Sequence, residues 1–287
     1  EWIATPTLEQ TASAIGWFMI IVLPITVIIC LLSMPERVTS NRPHLGFKKG
    51  ASLVFTNMPL LRLLIANFMI SFSTYFVQAL FVFFVSFTLN LQDKAGFILI
   101  FLLVGGLVGL PIWVRLSERW TKHSCMQIAV ATGAVTSLLL LALPSNAVIL
   151  TTVTFLLVGL NSSANEFLPR AMMADVCDHD HIQSGSERMG LYYSLLQASS
   201  KLASGIGIFL VMSVLGAFAF IPELGADNTD TVLQRLRYLI VILPMIAYVI
   251  VIGLMWRYPI SREYQTEMRG IIEERERLAL GSSTIDS

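Results

Sequence analysis

The sequence is short of charge. Asp, Glu, Lys and Arg make up 13% of its 287 residues, about half of the roughly 25% that a water-facing domain carries. A chain with so few charged groups cannot cover a globular surface, which excludes a soluble fold. Net charge is missing as well, because nineteen basic residues balance nineteen acidic ones. That removes a general attraction to nucleic acid or another polyanion. Cysteine is sparse: Cys30, Cys125 and Cys177 sit in or beside apolar runs without metal-type spacing. They read as three buried thiols rather than a disulfide scaffold or a metal centre. No Gly-rich phosphate loop, Ser–His–Asp pattern or H-E-x-x-H motif occurs, so hydrolytic chemistry is not expected. What remains is apolar. Hydrophobic residues form 55% of the chain and the mean hydropathy is +0.72, which assigns the chain to a bilayer.

A helix that crosses a bilayer needs about 20 mostly apolar residues. Seven runs qualify: 14–33, 60–88, 96–116, 124–143, 147–170, 188–220 and 235–257. The fold class is therefore all-α, multi-pass. The polar opening EWIATPTLEQTAS, with Glu rather than Met at position 1, is expected to be a loop continuing from an upstream part. Orientation follows from Lys and Arg. Fifteen of them, among them Arg62, Arg115, Arg119, Lys122, Arg170 and Arg188, fall on the side that carries the tail; Lys94, Arg235 and Arg237 face the other way. The start of the chain is expected outside and the tail in the cytoplasm. Residues 34–59 read as a polar linker separating one helix from six. The tail after Tyr258, with Glu and Arg interleaved, reads as a solvated amphipathic helix.

Polar side chains inside such spans are candidates for function, since desolvating them is costly unless they face a cavity or a partner. Span two carries Asn67, Ser71, Thr74, Tyr75 and Gln78 on one helical face, span five carries Asn161, Ser162, Asn165 and Glu166, and span six carries Tyr193, Ser194, Gln197, Lys201 and Ser204. Serines and asparagines at such positions also serve as glue between helices. Three polar faces predict a shared aqueous cavity. Lys201 lies 13 residues beyond Arg188, about 20 Å along the helix and near mid-bilayer. Its expected partner is an acid, either Glu166 or a carboxylate on absent helices. The cluster Asp175, Asp178, His179, Asp180 and His181 has the composition of a metal site. Its place at a helix end favours an ion-pair lock instead, with Arg188 set against Asp175 or Asp178 and with Arg115 and Arg119 on the neighbouring loop.

The run A-D-V-C-D at 174–178, then S-G-S-E-R-M-G-L-Y-Y-S at 184–194 and K-L-A-S-G at 201–205, resembles the signature of the glycoside–pentoside–hexuronide:cation symporters. These are the melibiose-carrier-like members of the major facilitator superfamily. The loop R-L-S-E-R-W-T-K-H at 115–123 resembles that superfamily's basic loop, departing from it at Glu118 and Thr121. The resemblance implies a secondary transporter that couples sugar or glycoside uptake to Na+ or H+ in the cytoplasmic (inner) membrane. It implies that residues 1–33 hold helix six with its preceding loop, that 34–59 are the central loop, that 60–258 form the C-terminal six-helix bundle, and that 259–287 are the cytoplasmic tail. Most of the cation and sugar ligands would then lie on helices one to five, which are needed as a partner. No cofactor beyond the coupling cation is implied. A lysolipid or other amphiphile carrier of the same superfamily is the alternative. A seven-helix receptor or retinal protein fits less well, because Lys201 is not in the last span and a 26-residue linker follows the first.

Overall fold

The computed structural model describes residues 8–33, 55–185, 188–221 and 228–260, with 263–268, 270–271 and 274 of the tail. Among these residues, seven helices are long and apolar enough to cross a membrane: α1 (Leu8–Ser33), α2 (Met58–Phe83), α3 (Ala95–Arg119), α4 (Lys122–Ala142), α5 (Val148–Ser184), α6 (Met189–Ala217) and α7 (Asp230–Met255). No strand occurs among the described residues. The chain divides into two compact units, residues 1–44 and 45–287. The linker expected over 34–59 lies outside the described residues as far as 54.

The described part of the first unit is α1. Its side chains, from Trp17 and Ile20 to Leu32, are exposed nearly all round, as a single apolar helix must be. Cys30 is correspondingly exposed and not buried as the sequence suggested. Cys125 and Cys177, in the second unit, are buried.

The second unit is a bundle of α2–α7. Asn57 caps α2, accepting the Leu60 amide at 3.0 Å, and Pro59 occupies the first turn, where its missing N–H costs nothing. The helix runs on through a π-helical turn at Phe84–Thr88. Where α3 crosses α5 the backbones touch. A Cβ added at Gly105 would overlap the Leu156 carbonyl, one at Gly109 the Leu160 carbonyl, and one at Gly159 the Leu102 carbonyl. Small residues four apart permit this approach in a membrane, where packing replaces the hydrophobic drive between helices. Trp113 closes the seam by donating its indole N–H to the Leu160 carbonyl at 3.0 Å. On α2 and α6, Asn67 donates to the Leu196 carbonyl at 3.1 Å and to Ser200 Oγ at 2.9 Å, and Ser71 meets Ser200 at 3.1 Å.

Two expectations need correcting. The fifth span does not stop near 170 but continues as one helix to Ser184 and ends on Gly185 in the left-handed region, φ 66°. The Asp and His residues stay helical because Pro169, Met172, Met173, Val176 and Cys177 make a buried stripe beside them. The tail is not simply solvated. Ile260 and Met268 are each 2% exposed. With the half-buried Tyr264 they pack into the core cluster that holds Met172, Val176 and Tyr258.

Candidate functional site

A cavity of about 320 Å³ opens among α2, α3, α4, α5 and α7. Part of its lining is apolar, from Val77, Phe81, Leu99, Leu102, Leu103 and Leu140. The rest includes Thr74, Gln78, Asn161 and Asn165, with Tyr248 from α7. The threonine hydroxyls here spend their protons on their own helices: Thr74 donates to the Ile70 carbonyl at 3.0 Å, and Thr136 to the Gly133 carbonyl at 2.9 Å. Their oxygens are left as acceptors. Asn161 accepts from Thr132 at 2.9 Å, and Asn165 donates to Thr74 at 3.4 Å. Gln78 and the buried Tyr248 have no hydrogen-bond partner among the described residues and line the cavity. Proline at 169 leaves the Asn165 carbonyl without its helical amide, adding an acceptor at a residue that lines the cavity.

Beside it is a crevice of about 10 Å³ lined by Asn67, Ser71, Asn165, Glu166, Gln197 and Ser200, which is space on the scale of one water. Asn165 borders both spaces. The three expected polar faces are thus shared out. Gln78, Asn161 and Asn165 reach the larger cavity. Asn67 and Ser71 hold α2 to α6. Tyr75, Tyr193, Lys201 and Ser204 line neither space, and the Tyr193 hydroxyl donates to the Arg170 carbonyl at 3.0 Å.

Lys201 is exposed on α6 and has no hydrogen-bond or ion-pair partner among the described residues. Glu166, one candidate partner for it, is taken by Arg170 at 2.8 Å, with both side chains about half exposed. One helical turn separates these two, so the pair forms within α5 and never reaches α6.

At the end of the bundle that carries the tail, the ion pairs differ from the expected ones. Arg188 lies 3.4 Å from Asp180, not from Asp175 or Asp178. The α-helical course of 175–184 explains this, since it carries Asp180 on to the level where α6 begins. Asp175 instead meets Lys122 at 2.6 Å and accepts from Gln265 of the tail at 2.9 Å. The Lys122 ammonium also donates to the Ala171 carbonyl at 3.0 Å. Asp178 is half-buried, and Arg115 and Arg119 are exposed. His179 Nδ1 meets the Tyr264 hydroxyl at 2.8 Å, and Tyr258 donates to the Pro59 carbonyl at 3.1 Å. Burial, with Asp175 nearby, pushes the Tyr258 phenol well above its usual range, so it stays a donor. No group of three His, Cys, Asp or Glu among the described residues is arranged to hold a metal ion.

Sequence reasoning missed the contributions of α4 and α7, namely Thr132, Thr136, Ser137 and Tyr248. Thr132 and Thr136 are one turn apart on α4, a short polar stripe that was there to be read.

A six-helix bundle with polar side chains turned into a membrane-embedded cavity is the frame of a multi-pass carrier. Residues 3–262 match the family described as MFS/sugar transport protein, and the chain belongs to that family. Among curated relatives, the sodium-dependent lysophosphatidylcholine symporter 1 of Mus musculus is 26% identical over 247 residues, covering 84% of this chain and 46% of the relative. The glucuronide carrier protein homolog of Escherichia coli (strain K12) is 23% identical over 254 residues, with 87% and 54% covered. A sphingosine-1-phosphate transporter of Mus musculus is 25% identical over 229 residues, with 78% and 45% covered. The chain spans about half the length of the curated relatives it matches.

Proposed function

We propose that the protein is a cation-coupled symporter working by alternating access, and that its substrate is an amphiphile with a polar head and an apolar chain. The observation that carries this reading is the mixed lining of the cavity, where Val77, Phe81, Leu99, Leu102, Leu103 and Leu140 stand together with amides and hydroxyls. A mostly apolar lining with a few placed polar groups suits a ligand that has both an apolar chain and a polar head. Lys201 borders neither space here; its exposed ammonium, without a partner among the described residues, would meet an anionic head only in a carrier completed by five further helices. Those helices would hold most of the ligands for the coupling Na+ or H+. In this reading α1 is helix six, the first residues lie outside, and the tail lies on the cytoplasmic face of the inner membrane. Two of the relatives above are named for lipid substrates.

A sugar or glycoside is the second reading. Gln78, Asn161, Asn165 and Tyr248 would hold its hydroxyls, and one relative is named as a glucuronide carrier homolog. Thermal unfolding of the purified chain with lysophosphatidylcholine or with a glucuronide separates the two. The amphiphile should raise the midpoint and the glucuronide should leave it unmoved. Stabilisation by the glucuronide alone would replace the first reading with the second.

A further inference from the structure

The end of the bundle opposite Asp175 and Arg188 holds a second cleft, of about 470 Å³, which the transport reading does not use. Its floor is the junction of two turns. Asn146 donates its amide to the Leu89 carbonyl at 2.8 Å, and Ser145 donates to the Thr88 carbonyl at 3.4 Å. Its wall is the first two turns of α7, where Asp230, Gln234 and Arg237 follow one another at i, i+4 and i+7 on one face. Arg237 is half-buried and Asp230 exposed, and neither has an ion-pair partner among the described residues. Arg235, next to them, is occupied by the Phe218 ring 5.5 Å away. At the back, Thr88 is 7% exposed, and its Oγ1 is buried without a hydrogen-bond partner among the described residues. A buried hydroxyl left open costs free energy that a bound polar group would recover.

Two apolar rails run inward from this polar cleft. On α7, Tyr238, Ile242, Ile246 and Val249 fall at i, i+4, i+8 and i+11 and are each between 52% and 65% exposed. On the adjoining α4, Leu141 borders the cleft and Leu138 and Val135 follow it at three-residue steps, 50% and 58% exposed. A half-buried arginine and an exposed tyrosine beside exposed apolar side chains are the composition of a membrane–water interface.

We infer that this cleft binds the headgroup of a zwitterionic phospholipid of the bilayer, with an acyl chain lying along the α4–α7 groove. The vertical order of the charges matches such a lipid. Asp230 opens the helix and lies nearest the water, and Arg237 sits about 10 Å further in, a gap the arginine stem shortens by reaching outward. In a phosphocholine or phosphoethanolamine the ammonium is likewise the outer group and the phosphate the inner one. Arg237 offers the fork that a phosphate takes, Asp230 meets the ammonium, and Thr88 and Gln234 supply neutral hydrogen-bonding groups between them. The lipid seated here lies outside the central cavity and is held, not carried.

The test is native mass spectrometry of the full chain released from phosphatidylcholine nanodiscs, with thermal unfolding recorded for each variant. Arg237→Ala and Asp230→Asn should each lower phosphatidylcholine occupancy about tenfold, the scale of one charge-assisted contact, with unfolding midpoints unchanged. Arg235→Ala and the cavity variant Asn161→Ala should leave occupancy as in the parent. Equal occupancy in the parent, Arg237→Ala and Asp230→Asn overturns the site. Equal retention of phosphatidylglycerol, which lacks the ammonium, overturns the zwitterion assignment. Displacement of the lipid by millimolar glycerophosphocholine overturns the membrane source in favour of a soluble ligand.

Discussion

The Lys122 ammonium lies 2.6 Å from the Asp175 carboxylate, and the two side chains are only 18% and 4% exposed. The pair joins α4 to α5, and the second carboxylate oxygen of Asp175 takes the Gln265 amide at 2.9 Å. One buried carboxylate therefore ties two membrane helices and the tail together. Removing a single partner of such a pair strands the other in a poorly hydrated place, at a cost of about 3 kcal/mol or more. Lys122→Met and Asp175→Asn should each lower the unfolding midpoint of the purified chain. The double variant should recover much of the loss, because neither charge is then left alone. A double variant no more stable than the weaker single one would show that the pair is not the binding element.

Arg188 and Asp180 make a second ion pair at this end. In the whole carrier, Arg188→Glu should depress uptake, and Asp180→Arg added to it should restore part of the rate. Asp175→Arg and Asp178→Arg should not, since neither carboxylate is paired with Arg188 here. Rescue through Asp178 rather than Asp180, measured as initial uptake rate, would contradict the pairing.

The seam between α3 and α5 leaves no room for a methyl group at Gly159, whose added Cβ would overlap the Leu102 carbonyl. Gly159→Ala should cost about 1–3 kcal/mol as the two backbones are forced apart. Gly253→Ala is the control, because nothing lies within 4 Å of a Cβ at that position. The comparison is of unfolding midpoints in one detergent. Equal midpoints would mean that the helices separate freely.

Lys201 has no hydrogen-bond or ion-pair partner among the described residues, so Lys201→Ala should leave the unfolding midpoint close to the parent's. In the whole carrier the same change should abolish coupled uptake with expression and insertion near normal. Lys201→Arg should rescue poorly, since a guanidinium is larger and stays charged. Parental uptake by Lys201→Ala would remove the residue from the proposed pathway.

The helical class and the spans were legible because twenty-residue apolar runs are a strong and local signal. Ion-pair partners were not, and Arg188 shows why. Its choice among Asp175, Asp178 and Asp180 depends on whether 171–184 is loop or helix, and a run rich in Asp and His gives no local answer. The buried stripe of Met172, Met173, Val176 and Cys177 decides it. Asn67 and Ser71 show a second limit. Periodicity placed them on one face of α2 but could not say whether that face meets a cavity or a neighbouring helix. Their bonds to Ser200 show that it meets α6. Tyr248 was missed because a lone polar residue in an apolar run has no periodicity to reveal it.

The length of α5 makes it a lever arm. Asn161 and Asn165 grip the cavity on one side of Pro169, and Asp180 engages Arg188 on the other. From Pro169 to Asp180 the arm is about 16 Å long, and proline is where a helix flexes most readily. A bend of about 10° there swings the far end by roughly 3 Å, more than a hydrogen bond survives. A hinge at Pro169 would therefore let the Arg188 contact open while Asn161 and Asn165 keep their places at the cavity.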